Sequence, residues 1–248
     1  MKKQMLADGI VHVTFDPKPE AHYATSVTVI FDGNKVLLID AAYACQMAML
    51  LDMFAKDNMT VDRVVMTHFH SDHMEGLKCL PKTPVYGGCR FQETLDLWIN
   101  PAEHVHFTPT ILVDAPLKLL HGAHHLTIKP LPGHSACGLL VEIDDRFVHI
   151  GDEVMFAADG EPLLPVTNRR DVKRHLDSLD KLGCYVGWTI IPSHGDVFDG
   201  KALAGEIKNR RRYLKAIHNS IKPISYADAV KGCDCTFAHR EWHRYNIC

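Results

Sequence analysis

Apolar positions along this chain change period several times, and the changes mark the elements. Residues 10–15 (Ile-Val-His-Val-Thr-Phe) and 25–31 (Thr-Ser-Val-Thr-Val-Ile-Phe) are rich in β-branched side chains and read as strands. Asp32-Gly33-Asn34 is a tight-turn signal, and residues 35–39 form a third strand, so a hairpin ends at Asp40. Residues 43–57 carry Ala, Met and Leu at helical spacing. Residues 61–66 then form a buried strand that runs straight into Thr67-His68. Pro81 and Pro84 bracket a short connection to Val85-Tyr86, and residues 90–99 are helical. Residues 104–121 are broken by proline and match neither period. Three consecutive strands follow at 124–130, 138–143 and 146–150, the last two joined by an Asp144-Asp145 turn. A helix at 170–182, a strand at 187–191 and a long helix at 201–219 complete the pattern. Strands followed by helices in both halves predict a layered α/β protein. A coarse repeat of hairpin, helix, strand and His-bearing loop is visible in each half.

Composition narrows this picture. The 248 residues are 46% hydrophobic and 23% charged, enough apolar material for a large core. We read residues 1–248 as a single domain, with 220–248 as a C-terminal tail packed on it or on a partner subunit. A formal net charge of -3 gives no strong field toward nucleic acid or an anionic membrane. Lys2 and Lys3 are not followed by an apolar h-region, because Asp8 and Gly9 interrupt it. No run of about 18 apolar residues exists, so no membrane span is expected. The eight cysteines form no regular framework and are read as reduced thiols of a cytoplasmic protein.

The 17 histidines change the picture most. The strand ending at Met66 opens into a loop bearing His68, His70, Asp72 and His73. In extended backbone the side chains at 68 and 70 share a face and can grip one metal ion. Asp72 and His73 follow where the chain turns toward a helix, and can point at a second position. Imidazole and carboxylate are the ligands of open zinc sites, and they also suit iron or manganese. Three further candidates stand at strand ends beside Gly or Pro: His134 in Leu-Pro-Gly-His-Ser, Asp152 in Ile-Gly-Asp-Glu, and His194 in Pro-Ser-His-Gly. No G-x-S-x-G nucleophile motif is present.

This set resembles the metallo-β-lactamase-fold hydrolase superfamily. Its signature is H-x-H-x-D-H, then a separate His, an Asp and a last His, with an early Asp after a strand, here Asp40. The likeness covers roughly residues 9–220. It implies a four-layer αββα sandwich. It also implies that His68, His70 and His134 hold a first divalent metal, zinc before iron or manganese. Asp72, His73 and His194 would hold a second, Asp152 would bridge the two, and Asp40 would orient the ligand loop. A water held between two dications loses a proton readily, and the hydroxide would attack an ester, thioester or lactone carbonyl. Asp72 is the catalytic candidate for moving the proton.

Departures from individual branches limit the substrate. Too few residues separate Asp152 from His194 for the inserted domain of the nucleic-acid-processing branch. His70 stands where the diiron electron-transfer branch has Glu, and Asp152 stands where the commonest zinc β-lactamases have Cys. The glyoxalase II-like thioesterases and the lactonases remain, with Gly151-Asp152-Glu153-Val154-Met155-Phe156 resembling the former. A small-molecule substrate is expected, with no nucleic acid or membrane partner, and a homodimer is left open. Three alternatives stand: a phosphodiesterase or phosphonate hydrolase, a mononuclear iron persulfide dioxygenase, and a non-enzymatic metal or ligand sensor. Ester and phosphoester panels with metal analysis separate them.

Other clusters read more plainly. Arg169-Arg170 precede a helix and are candidate contacts to a substrate anion, against a solvated helix start. His121, His124 and His125 flank a turn glycine and read as solvated or loosely placed, against a lining of the site. Cys137 reads as a small buried thiol. Cys233, Cys235, His239, His243 and Cys248 lack a standard zinc spacing.

Overall fold

A computed structural model describes residues 1–18 and 22–248. Its first sheet has seven strands in sequential order: β1 (Lys2–Ala7), β2 (Ile10–Phe15), β3 (Thr25–Asp32), β4 (Lys35–Ile39), β5 (Thr60–Val65), β6 (Val85–Gly88) and β7 (Ile111–Val113). β1 to β4 are antiparallel to one another in turn, and β4 to β7 are parallel. The second sheet has six strands: β8 (Leu117–His121), β9 (His124–Pro130), β10 (Leu139–Ile143), β11 (Phe147–His149), β12 (Thr189–Ile191) and β13 (Phe198–Asp199), in the order β13-β12-β11-β10-β9-β8. Gly33-Asn34 closes the β3–β4 hairpin with Asp32 opposite Lys35, and Gly33 takes the positive φ of 58° that such a turn requires.

Alternation within the strands assigns side chains to layers. Leu37, Ile39 and Val65 of the first sheet meet Ile128, Leu139, Val141 and Ile143 of the second in the central layer. Their neighbours Val36, Leu38 and Val64 point the other way, onto α1 (Ala44–Lys56). The stripe Met47, Leu50 and Phe54 on α1 covers them, at the three-to-four spacing that puts residues on one helical face. Leu140, Val148 and Ile190 face outward on the second sheet, beneath α4 (Val172–Leu182) and α5 (Leu203–Asn219). The architecture is therefore an αββα sandwich. Three shorter helices, α2 (Ser71–Met74), α3 (Phe91–Trp98) and α6 (Tyr226–Ala229), and a final turn, α7 (His243–Ile247), lie between and after the main elements.

The repeat seen in the sequence is a topological one. Strand, helix and parallel strand recur as β4–α1–β5, with Ile39 opposite Val65, and as β11–α4–β12, with His149 opposite Ile191. The parallel pairings send the ends of β4, β5, β11 and β12 to the same edge of their sheets. β9 runs with β11, since both are antiparallel to β10. The sheet edges are tied together where Leu139 N–H donates to Thr67 O at 2.8 Å and Ser26 Oγ donates to Ser193 O at 2.7 Å.

Two segments depart from the sequence pattern. Lys2–Ala7, too polar for an apolar leader, is an edge strand paired with β2. Residues 104–121, whose proline-broken pattern matches neither period, hold β7 and β8, the two strands that end one sheet and begin the other.

Candidate metal centre

Five strand ends deliver the polar residues. The first is Asp40, the residue after β4, whose φ of 65° lies in the left-handed region. A non-glycine residue holds such a conformation where several contacts over-determine it. Asp40 N–H donates to Val65 O at 2.9 Å. Asp40 Oδ1 accepts Thr67 N–H at 2.7 Å, and Oδ2 accepts Thr67 Oγ–H at 2.8 Å and His73 Nδ1–H at 2.9 Å. The loop after β5 is thereby fixed from below. α2 begins at Ser71, and its first turn carries Asp72 and His73.

The rings are oriented through one nitrogen each. Val166 O faces His134 Nδ1 at 3.0 Å, and Ala24 O faces His194 Nδ1 at 2.7 Å. A carbonyl can only accept, so the proton sits on Nδ1 and Nε2 keeps its lone pair. His68 Nδ1 lies 3.0 Å from Thr67 Oγ, whose own proton goes to Asp40. Outer partners of this kind fix the tautomer and direction of metal-binding imidazoles.

The freed atoms converge. Asp152 Oδ2 lies 3.2 Å from His194 Nε2, 3.4 Å from His73 Nε2, 3.6 Å from His68 Nε2 and 3.7 Å from His134 Nε2. His134 Nε2 is 3.1 Å from His70 Nδ1, and Asp72 Oδ2 is 3.4 Å from His194 Nε2. Three groups have donor atoms all within 4.8 Å of one another: His68, His70 and His134; His68, His73 and Asp152; and Asp72, His73 and His194. The structure thus brings together His68, His70, Asp72, His73, His134, Asp152 and His194. Buried Nε2 of His68, Nε2 of His73 and Oδ1 of Asp152 have no hydrogen-bond partner. Buried polar atoms normally have one. Lone pairs left bare and pointing at one another fit a cation that would fill the gap.

Electrostatics agree with that fit at His68, His70, His134 and Asp152, whereas the facing carboxylates raise His73 and His194, which would each give up a proton to a cation. Burial and the neighbouring His134 hold His70 down to about 3, and burial and His73 hold His68 well below the usual imidazole range. Burial alone would raise the Asp152 carboxyl, but the His194, His73 and His68 imidazoles hold it well below. Burial opposes charge on His73 as well, and the Asp152, Asp72 and Asp40 carboxylates raise it well above the ordinary value. Neutral imidazoles and ionised carboxylates are the forms that bind metal.

The Metallo-beta-lactamase superfamily profile matches residues 22–194, which span the whole constellation from His68 to His194. The chain belongs to this superfamily. Members are in general metal-dependent hydrolases, and the fold implies divalent-metal binding. The chain is similar to the "Lactamase-like protein nscB" of Aspergillus fumigatus, 27% identical over 71% of this chain and 49% of that protein. It therefore spans about half the length of that relative. The "Beta-lactamase-like protein 2 homolog" of Caenorhabditis elegans is 24% identical over 92% of this chain and 78% of its own. The "Hydroxyacylglutathione hydrolase" of Haemophilus ducreyi is 21% identical over 61% and 57%. Among solved structures, the metallo-beta-lactamase from Pontibacter korlensis superposes with a TM-score of 0.67 at 18% identity, covering 84% of this chain and 99% of that one. The DIM-1 metallo-beta-lactamase gives a TM-score of 0.66 at 17% identity, covering 86% and 96%. At those identities the likeness is one of fold.

The remaining candidates of the sequence lie elsewhere. Arg169 turns its guanidinium to Ile247 O, and Arg170 is exposed, its backbone N–H capped by Asn168 Oδ1 at 2.9 Å. His121 is buried, which corrects the solvated reading; it faces His124 across the β8–β9 turn. That turn packs on Asp32, at the sheet edge away from Asp40. Cys137 is buried, its Sγ 3.3 Å from Ser135 Oγ. Cys233, Cys235, His239, His243 and Cys248 form no metal-binding group among the described residues. One residue was overlooked. Glu153, buried behind Gly133, accepts His134 N–H at 2.9 Å and bonds Ser178 Oγ, and burial pushes its carboxyl up to about 8. Its signal was an acid inside the apolar run Ile150-Gly-Asp-Glu-Val-Met155.

Proposed function

We propose that the protein is a dinuclear metal-dependent hydrolase of a small-molecule ester, thioester or lactone. The observation that carries this reading is the set of four Nε2 atoms within 3.7 Å of Asp152 Oδ2, each ring held by its other side. His68, His70 and His134 hold one ion, Asp72, His73 and His194 the other, and Asp152 lies between them. All-nitrogen-and-oxygen donors of this kind suit zinc, with iron and manganese as the competing occupants. Two such ions would supply a nucleophile at neutral pH by acidifying water and would polarise the target oxygen.

The chain's own groups do the rest. Asp72 is the more open of the two carboxylates, its side chain 13% exposed against 4% for Asp152. It is placed to pass a proton between the centre and solvent. Trp98, 65% exposed, stands edge-on to His70 with ring centroids 6.0 Å apart. On the other side Tyr23 stands edge-on to His194 at 4.8 Å and is itself backed by Trp242 at 5.8 Å. Aromatic walls on both flanks support a substrate with an apolar acyl portion. The name of the Haemophilus relative supports the thioester class. No helix among the described residues is long and apolar enough to cross a membrane.

The test is a panel of esters, thioesters, lactones and phosphodiesters, run on protein stripped with chelator and reloaded with Zn2+, Mn2+ or Fe2+. Turnover of a carboxylic ester class that returns with two equivalents of metal supports the reading. Phosphodiester turnover alone, or full occupancy at one iron per chain without hydrolysis, overturns it.

A further inference from the structure

Residues 220–248 were read from the sequence as a tail. The structure gives part of that tail a specific attachment. Ala238 N–H donates to Pro162 O at 2.9 Å, and Leu164 N–H donates to Ala238 O at 3.2 Å. Further along, the Asn246 side chain, wholly buried, brackets Val166. Its Nδ2 donates to Pro165 O at 2.7 Å, and its Oδ1 accepts Thr167 N–H at 2.9 Å. Arg169 closes the same anchor by donating to Ile247 O.

What this anchor holds is the carbonyl of Val166, the group that fixes the proton of His134 on Nδ1 and aims Nε2 at His70 Nδ1. Among the described residues, 162–169 have no strand neighbour beyond the isolated pairings of Pro162 with Phe156 and Leu163 with Ala238, and residues 165–167 have none. Backbone bonds hold residues 162–164, and the side chain of Asn246 holds the backbone on either side of Val166. Asn246 Nδ2 also donates to Tyr213 OH at 2.9 Å, and Tyr213 OH lies 2.9 Å from His243 Nδ1. That second arm ties the clamp to α5 without touching residues 165–167.

We infer that Asn246 is a positioning residue of the metal centre, acting through the Val166 carbonyl to hold His134 in its ligating orientation. The inference rests on the reading of His134 as a metal ligand. A displaced carbonyl frees the His134 ring to turn and to change tautomer, so one ion weakens while the one held by Asp72, His73 and His194 does not.

The experiment is calorimetric titration of Zn2+ into chelator-stripped protein, together with the melting temperature of the metal-free form. Asn246→Ala is compared with Tyr213→Phe, which removes the second arm and leaves the Pro165 and Thr167 bonds intact. Both lower the melting temperature. Only Asn246→Ala weakens one of the two Zn2+ equivalents, by about tenfold or more, as loss of an outer partner does. Arg169→Met, a milder lesion of the same anchor, weakens the same equivalent by a smaller factor and serves if Asn246→Ala does not fold. Equal Zn2+ isotherms for wild type, Asn246→Ala and Arg169→Met overturn the inference. His134→Ala separates the two levels. If it loses one Zn2+ equivalent while the anchor variants lose none, only the positioning role fails. If His134→Ala keeps both, the ligand assignment itself fails.

Discussion

Asp40 and His73 are joined by a 2.9 Å hydrogen bond between a carboxylate with no exposure and an imidazole with almost none. The same carboxylate takes both protons that Thr67 offers, and Thr67 in turn receives His68 Nδ1. One acid thus directs two rings, His68 and His73, which share a group with Asp152 and which the proposed ligand sets assign to different ions.

On the proposed dinuclear reading, Asp40→Asn should therefore act on both ions at once. The amide offers one acceptor oxygen where the carboxylate takes four donors, Ser193 Oγ–H at 3.4 Å included, so at least one of Thr67 N–H, Thr67 Oγ–H and His73 Nδ1–H loses its partner. Zn2+ affinity measured by chelator competition should fall about 10- to 100-fold. Stability of the metal-free protein should drop by about 1–3 kcal/mol, the cost of a buried group left unpaired. An unchanged chelator competition curve would show that Asp40 is a fold residue only.

Asp152 touches four imidazoles, so its loss should not resemble the loss of any one of them. Asp152→Asn removes the charge that faces His68, His73, His134 and His194 while keeping the shape. Elemental analysis after dialysis should find fewer than two metals per chain, with hydrolysis lost in parallel. Retention of two metals and of turnover would place the bridging role elsewhere.

Gly133 packs its missing side chain against the acid behind His134. A Cβ there would meet Ser178 Oγ at 2.0 Å and Glu153 Oε1 at 2.3 Å, both buried and both held by hydrogen bonds that a shift would break. Gly133→Ala should push the His134 loop outward, break the His134 N–H bond to Glu153, and lower metal content and activity together. The double variant Gly133→Ala/Ser178→Ala opens the nearer clash and should recover part of both. Metal content at the wild-type level in Gly133→Ala contradicts the account.

His12 makes a pH-dependent contribution to stability. It is buried on β2, 3.1 Å from Thr28 Oγ, and burial, with His149 next, lowers its pKa from 6.5 to about 3. Between those values the unfolded chain holds a proton that the fold does not, so stability rises with pH across the window. Acidification below 6.5 should cost about 1.4 kcal/mol per pH unit from this group at most, levelling off near 3. His12→Leu should flatten that part of the profile in urea titrations of metal-free protein. A profile as steep as wild type would assign the acid sensitivity to other groups.

Much of the molecule was legible in the sequence because its signals are local. Period-two and period-3.6 runs marked β2 to β5, β9 to β12 and the helices α1, α3, α4 and α5, and glycine turns set the hairpins. The His68-to-His73 run and the three later strand-end residues carried the resemblance to the superfamily. Strand β1 was missed because an edge strand buries little, and Met5 at its centre is 67% exposed. β7 and β8 were missed because each is short and the proline-broken segment around them has no period.

The sequence by itself determined which residues could bind metal, the order in which they occur, and the layers their strands would build. Those properties depend on neighbours a few positions away. Only the tertiary structure decided which nitrogen of each ring is free, that Asp152 faces four imidazoles, that Arg169 serves Ile247, and that Asn246 stands beside Val166. Those relations join residues far apart in the chain, across parallel sheet edges and a packed terminal segment. Distances of that kind follow from how the layers close on one another, which no run of neighbouring residues encodes.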